Sequence, residues 1–103
     1  MNKHISIILT AHKSKNLIIN YIKNIYQVFH IIVIDNSNDI ELEKEIKKNY
    51  PSVLFKFMPN NGYGAAINLG SKFVKTEYFL VSNPDVEGLK TDNILKFYEL
   101  LNH

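Results

Sequence analysis

Short apolar runs alternate with amphipathic stretches along the chain. Ile5-Ser6-Ile7-Ile8-Leu9 is β-branched and nearly all apolar, which predicts a first strand buried on both faces. Thr10 to Lys13 read as the loop after it. Ser14 is a plausible N-cap for a helix through about Tyr26. Leu17, Tyr21 and Ile25 recur at four-residue spacing with Ile18 and Ile22 beside them, so one stripe of this helix should be buried. Ile31-Ile32-Val33-Ile34 predicts a second strand, ending at the polar cluster Asp35-Asn36-Ser37-Asn38-Asp39. A short charged helix is expected over Glu41 to Asn49, with Leu42 and Ile46 inward. Tyr50-Pro51 closes it, because a residue before proline avoids helical geometry.

Val53 to Met58 predicts a third strand, which Lys56 places nearer an edge than the first two. Pro59-Asn60-Asn61-Gly62 is a turn cluster. A helix of small residues should run from about Tyr63 to Lys75. Glu77 to Ser82 predicts a fourth strand. Its apolar run reads as a buried parallel strand, and Pro84 cannot donate to a ladder, so pairing must stop there. Thr91 or Asp92 can cap a last helix bearing Ile94, Leu95, Tyr98 and Leu101.

Strands that alternate with helices predict an α/β fold with a parallel sheet covered on both faces. Right-handed crossovers leave few topologies. We expect a Rossmann-like three-layer sandwich of strand order 3-2-1-4. That order sets the loop after the first strand beside Asn83-Pro84-Asp85, at the carboxyl ends of the strands, where open α/β sheets bind ligands. Asp35-Asn36 and Asn60-Asn61-Gly62 end on the same rim. Asp85 is read as the centre of a phosphate- or metal-binding site; the alternative is a strand-to-helix turn chosen for turn chemistry.

Composition narrows the function. The chain of 103 residues suits one domain, 46% hydrophobic and 21% charged. A net charge of +2 gives no electrostatic argument for nucleic acid. The absence of cysteine excludes disulfides, thiolate metal sites and a cysteine nucleophile, and fits a reducing compartment. No apolar run approaches the roughly 20 residues of a membrane span, and none forms a targeting core. A cytoplasmic chain is the default expectation. The histidines His4, His12, His30 and His103 show no ligand spacing; His12, on the rim, reads as a ligand contact or a solvated loop residue.

Two site chemistries fall on the first loop. A receiver-type phosphoacceptor at Asp35 needs further carboxylates there to hold magnesium, and Thr10-Ala11-His12-Lys13 has none. A dinucleotide fingerprint needs glycines there, and the loop has none. Asp35 is instead read as accepting from a base N–H or a ribose hydroxyl. The pattern Asn60-x-Gly62-x-Gly64-x-Ala66-x-Asn68-x-Gly70 is not amphipathic. Gly62 and Gly64 suggest close approach of backbone to a ligand, with Asn68 on the same helix face as Gly64. The alternative is tight helix–sheet packing through small residues.

Taken in order, Ile5 to Thr10, Val33 to Ser37, the Asn60 to Gly70 pattern and Leu80 to Asp85 resemble family 2 glycosyltransferases, nearest to the rhamnosyltransferase-like branch of bacterial surface polysaccharide synthesis. The resemblance implies the nucleotide-binding half of a GT-A fold and inverting transfer from a nucleotide-diphospho-sugar. It implies that Thr10, Ala11 and His12 line the base pocket, that Asp35 bonds base or ribose, and that Asn60, Gly62 and Asn68 face the nucleotide-sugar. Asn83-Pro84-Asp85 stands in the place of the family's D-x-D motif, so Asp85 would hold Mg²⁺ or Mn²⁺ on the diphosphate. Thr10-Ala11-His12 replaces a more usual proline-threonine-tyrosine-like run. No acid in the chain can be assigned the general-base role, so residues 1–103 are expected to be a donor-binding domain without the acceptor-binding half. That domain would be either a short piece of a longer transferase or one completed by a partner chain. A non-catalytic nucleotide-sugar-binding module or an inactive remnant is the alternative. A homodimer covering the fourth strand is also expected, because an uncovered apolar edge invites pairing.

Overall fold

The computed structural model describes residues 5–59 and 62–82. The elements run β1 (Ile5–Ala11), α1 (Lys15–Ile25), β2 (His30–Asp35), α2 (Ile40–Asn49), β3 (Leu54–Phe57), α3 (Tyr63–Ser71) and β4 (Tyr78–Ser82). All strand pairs are parallel and the order is β3-β2-β1-β4. This is the Rossmann-like α/β arrangement expected from the alternation of elements. The last expected helix lies outside the described residues.

Alternation along each strand divides the core in two. Ile5, Ile7, Leu9 and Ala11 of β1 join Ile31 and Val33 of β2 on the face covered by α1 and α2. Ile8 of β1 joins Ile32 and Ile34 of β2 on the other face, where Ala66 of α3 packs. A largely β-branched run that is apolar at nearly every position is therefore used on both sides. Ser6 is the polar member of that run. Its hydroxyl lies 2.8 Å from Thr76 Oγ1. Thr76 spends its own hydrogen on the Tyr78 carbonyl at 2.7 Å, so Ser6 is the donor of the pair. The pair ties the turn before β4 to β1.

Several expected boundaries move. β1 continues through Thr10 and Ala11, because its pairing with β2 extends to Ala11 opposite Asp35. α3 stops at Ser71, short of Lys75. The buried stripe of α1 is Ile18, Tyr21, Ile22 and Ile25. Leu17, expected within it, is 48% exposed. β4 is half-buried and not enclosed: Phe79 is 44% exposed at what is, among the described residues, a sheet edge. β3 forms the other edge, where Lys56 placed it.

Candidate functional site

The carboxyl ends of β1 and β2 form one rim, held by backbone bonds that continue the ladder beyond the strands. Asn36 N donates to the Ala11 carbonyl at 3.0 Å, and Met58 N donates to the Asp35 carbonyl at 2.9 Å. Ala11 thus contributes its backbone to the rim while its methyl enters the α1/α2 core. Thr10 lies beside it, half-buried.

Asp35 organises the next loop. Its Oδ1 accepts from Ser37 Oγ at 2.7 Å and Ser37 N at 3.3 Å, and its Oδ2 accepts from Asp39 N at 2.7 Å. The residue is 0% exposed. A buried carboxylate needs such donors, since burying it unpaired would be costly. Asp39 then caps α2, accepting from Leu42 N at 3.0 Å. The carboxylate called on from sequence to meet a base or ribose is, in this structure, turned inward to shape residues 36–39.

That loop is stitched to the one after β1. Lys13 N donates to Ser37 Oγ at 2.9 Å. His12 N donates to Ser14 Oγ at 3.2 Å. Ser14 is the N-cap of α1, yet its hydroxyl makes no cap bond to that helix, because it turns back to His12. Lys13 and Asn38 both hold left-handed backbone conformations, with φ of 52° and 57°. His12 Nδ1 stands 2.6 Å from Asn36 Oδ1. A carboxamide oxygen only accepts, so Nδ1 carries the hydrogen and Nε2 of the neutral ring is left as an acceptor. His12 is exposed, so that acceptor edge is available at the rim. Asn36, expected on the rim but given no role there, and Lys13 and Ser37, also given none, take part in holding it. Their signal was present in the polar cluster after the second strand, but not which of its members faces outward.

The small-residue pattern divides. Ala66 and Gly70 face the sheet and are buried. A Cβ at Gly70 would stand 2.7 Å from Ile8 Cγ2, so close helix–sheet packing accounts for that glycine. Gly64 and Asn68 lie one turn apart and are exposed. Among the described residues a Cβ on Gly64 would meet nothing within 4 Å. Gly62, the N-cap of α3, has φ of 93°, a conformation that favours glycine.

A groove of about 620 Å³ opens beside the rim between the starts of α1 and α2, lined by Lys13 to Leu17 with Ser37, Asp39 and Glu41. Lys15 bridges those helices, 3.8 Å from Glu41 and 3.6 Å from Glu45. Among the described residues no group of histidines and carboxylates is placed to hold a metal ion. Asp35 is saturated by the loop and Asp39 is committed to α2. The described residues alone therefore do not fit a divalent cation. Asn60, Asn83 and Asp85 lie outside the described residues. Among the described residues, no helix is long and apolar enough to cross a membrane.

The model of the family described as Glycosyl transferase family 2 matches residues 6–103 of this chain. No curated protein matches it.

Proposed function

The chain belongs to glycosyl transferase family 2, and from that premise we propose that the rim of β1 and β2 binds a nucleotide-diphospho-sugar for inverting transfer of the sugar. The observation that carries this reading is the stitching of the His12–Ser14 and Asn36–Asp39 segments into one rigid margin at the strand ends. A preformed margin lowers the ordering cost of binding a ligand there. The outward acceptor of His12 suits a base edge that presents an N–H, as uracil and thymine do. Thr10 and Ala11 support that pocket through the strand end, and Asp35 acts on the base or ribose by fixing Asn36 and Ser37. Gly62, Gly64 and Asn68 offer the sugar and diphosphate a surface with little side-chain bulk.

Asp85, with Asn83 and Asn60 beside the donor, completes the proposal. A hard cation such as Mg²⁺ or Mn²⁺ prefers carboxylate and phosphate oxygens and retains waters, so one protein carboxylate suffices to share it with the diphosphate. When bound, such a cation offsets charge on the departing diphosphate. In the transfer itself, an acceptor hydroxyl oxygen bonds to the anomeric carbon as the bond from that carbon to the phosphate oxygen breaks. The hydroxyl proton passes to a base that none of the assigned residues supplies, so residues 1–103 are proposed as a donor-binding domain acting with an acceptor-binding part, whether from a longer transferase, a partner chain or across a homodimer. The rhamnosyltransferase-like motifs make surface polysaccharide synthesis on the cytoplasmic side the proposed setting.

Isothermal titration of UDP and dTDP with Mn²⁺ tests the reading. Binding that weakens by about tenfold or more in Asp85→Ala supports it. Equal binding by both proteins removes the metal role, and no binding by the wild type removes the donor site. A donor-hydrolysis assay on a protein that binds then separates a transferase from a module that binds without turnover.

A further inference from the structure

His12 and Asn36 meet across the rim on backbone that is tied on both sides. In the first loop, Ala11 pairs with Asp35 in the strand ladder, His12 N donates to Ser14 Oγ at 3.2 Å, and Lys13 N donates to Ser37 Oγ at 2.9 Å. In the second, Asn36 N donates to the Ala11 carbonyl at 3.0 Å. The residues flanking Asn36 are joined to each other by Ser37 Oγ, which donates to Asp35 Oδ1 at 2.7 Å. The loops themselves therefore hold the two side chains at the 2.6 Å that separates His12 Nδ1 from Asn36 Oδ1.

A neutral imidazole carries one hydrogen, and the nitrogen that holds it decides what the other can do. Asn36 Oδ1 only accepts, so it draws the hydrogen to Nδ1, and Nε2 meets a ligand as a bare acceptor. Without that oxygen the hydrogen sits on either nitrogen, and the same ring donates as readily as it accepts. Pyrimidine bases differ at the ring position where this matters. Uracil and thymine carry a hydrogen on N3, whereas N3 of cytosine is itself an acceptor. An acceptor set against an acceptor leaves both without a partner, and a site built to receive an N–H rejects the analogue that lacks it.

We propose that Asn36 is a positioning residue that sets base specificity: by keeping the hydrogen of His12 on Nδ1, it makes the rim select diphosphates of uracil or thymine over those of cytosine. The proposal rests on the donor-binding reading above and names the base class that the same site takes. Asn36 acts through the imidazole and needs no contact of its own with the nucleotide. Its loss should therefore change the preference among bases more than the affinity for a diphosphate.

The test combines ring-nitrogen chemical shifts of His12 in the unliganded protein, at a pH where the ring is neutral, with calorimetric titration of UDP, dTDP and CDP in the presence of Mn²⁺. Wild type is expected to hold the hydrogen on Nδ1 and to bind UDP and dTDP about tenfold or more tightly than CDP. Asn36→Ala should show a mixture of the two ring forms and bind all three within about threefold of one another. Asn36→Asp, which keeps an accepting oxygen, should keep the wild-type ratio even where its added charge weakens all three alike. A hydrogen on Nε2 in wild type overturns the proposal, as does equal binding of UDP and CDP by wild type or an unchanged ratio in Asn36→Ala. Each of those results in a protein that binds UDP leaves the donor-binding reading standing. A wild type that binds none of the three diphosphates removes that reading, and the proposal falls with it.

Discussion

The two faces of this sheet are built differently. On the α1/α2 face, Ile18, Ile22, Leu42 and Ile46 seal against Ile7, Leu9, Ile31 and Val33, and every one of these is essentially fully enclosed. On the α3 face, the described contacts are Ala66 and Gly70 against Ile8 and Ile34, flanked by half-buried Leu54, Leu69, Phe73 and Val81. The first face is a dense layer of large side chains. Among the described residues the second is thinner, brings the α3 backbone close to the Ile8 side chain and leaves Gly64 and Asn68 exposed. Among the described residues, large enclosed side chains are concentrated on one side and exposed small residues on the other. Such a division is expected where a binding surface must stay accessible while the scaffold beneath it stays fixed.

The largest effect should come from breaking the dense side. Ile22→Ala should cost about 3–4 kcal/mol in denaturant unfolding, because a large side chain is removed where the layer cannot collapse. Leu69→Ala, half-buried on the α3 face, should cost no more than about half of that. Equal losses would mean that the two faces are equally packed.

Next is Asp35, where fold and site meet. Asp35→Asn keeps the shape but turns an amide donor toward one of the loop's N–H or O–H donors. Unfolding free energy should fall by about 2–3 kcal/mol, the scale of charge-assisted hydrogen bonds lost in a buried place, with nucleotide binding lost alongside. A stable variant that merely fails to bind would instead place the carboxylate in direct contact with the ligand.

The smallest effects sharpen the reading of α3. Gly70→Ala should cost about 1–3 kcal/mol, since the new methyl meets the branched Ile8 side chain. Gly64→Ala should raise stability by about 0.4–1 kcal/mol, because a helical position with open space gains from a less flexible unfolded chain. If the open surface of Gly64 receives the donor, the same change weakens nucleotide binding. A gain in stability with unchanged affinity would assign Gly64 to neither packing nor ligand.

Much of this architecture could be read from the residues alone. Apolar runs of β-branched residues set the strands, and the alternation with helical stretches set the parallel order. What could not be read is direction. Asp35 and Asn36 are adjacent polar residues after a strand; pleating turns the first toward α2 and leaves the second beside His12, and which is which depends on where β2 ends. Ala11 has no strand preference and Thr10 follows the end of the apolar run, and it is their pairing with Ile34 and Asp35 that extends β1. The two-residue spacing from Gly62 to Gly70 read as one device, whereas the helix splits it into a packed side and an open side. Leu17 fitted the apolar stripe in periodicity but is exposed in the first turn of α1.

The central claim is that a nucleotide diphosphate settles on the rim at the ends of β1 and β2. Backbone amide chemical shifts recorded while UDP and Mn²⁺ are titrated into the full chain test it most directly. The largest changes are expected at His12, Lys13, Asn36, Ser37 and Gly62 to Ala66, with α1 beyond its first turn nearly silent. Changes centred on the outer surfaces of α1 and α2, with the rim unmoved, would contradict it.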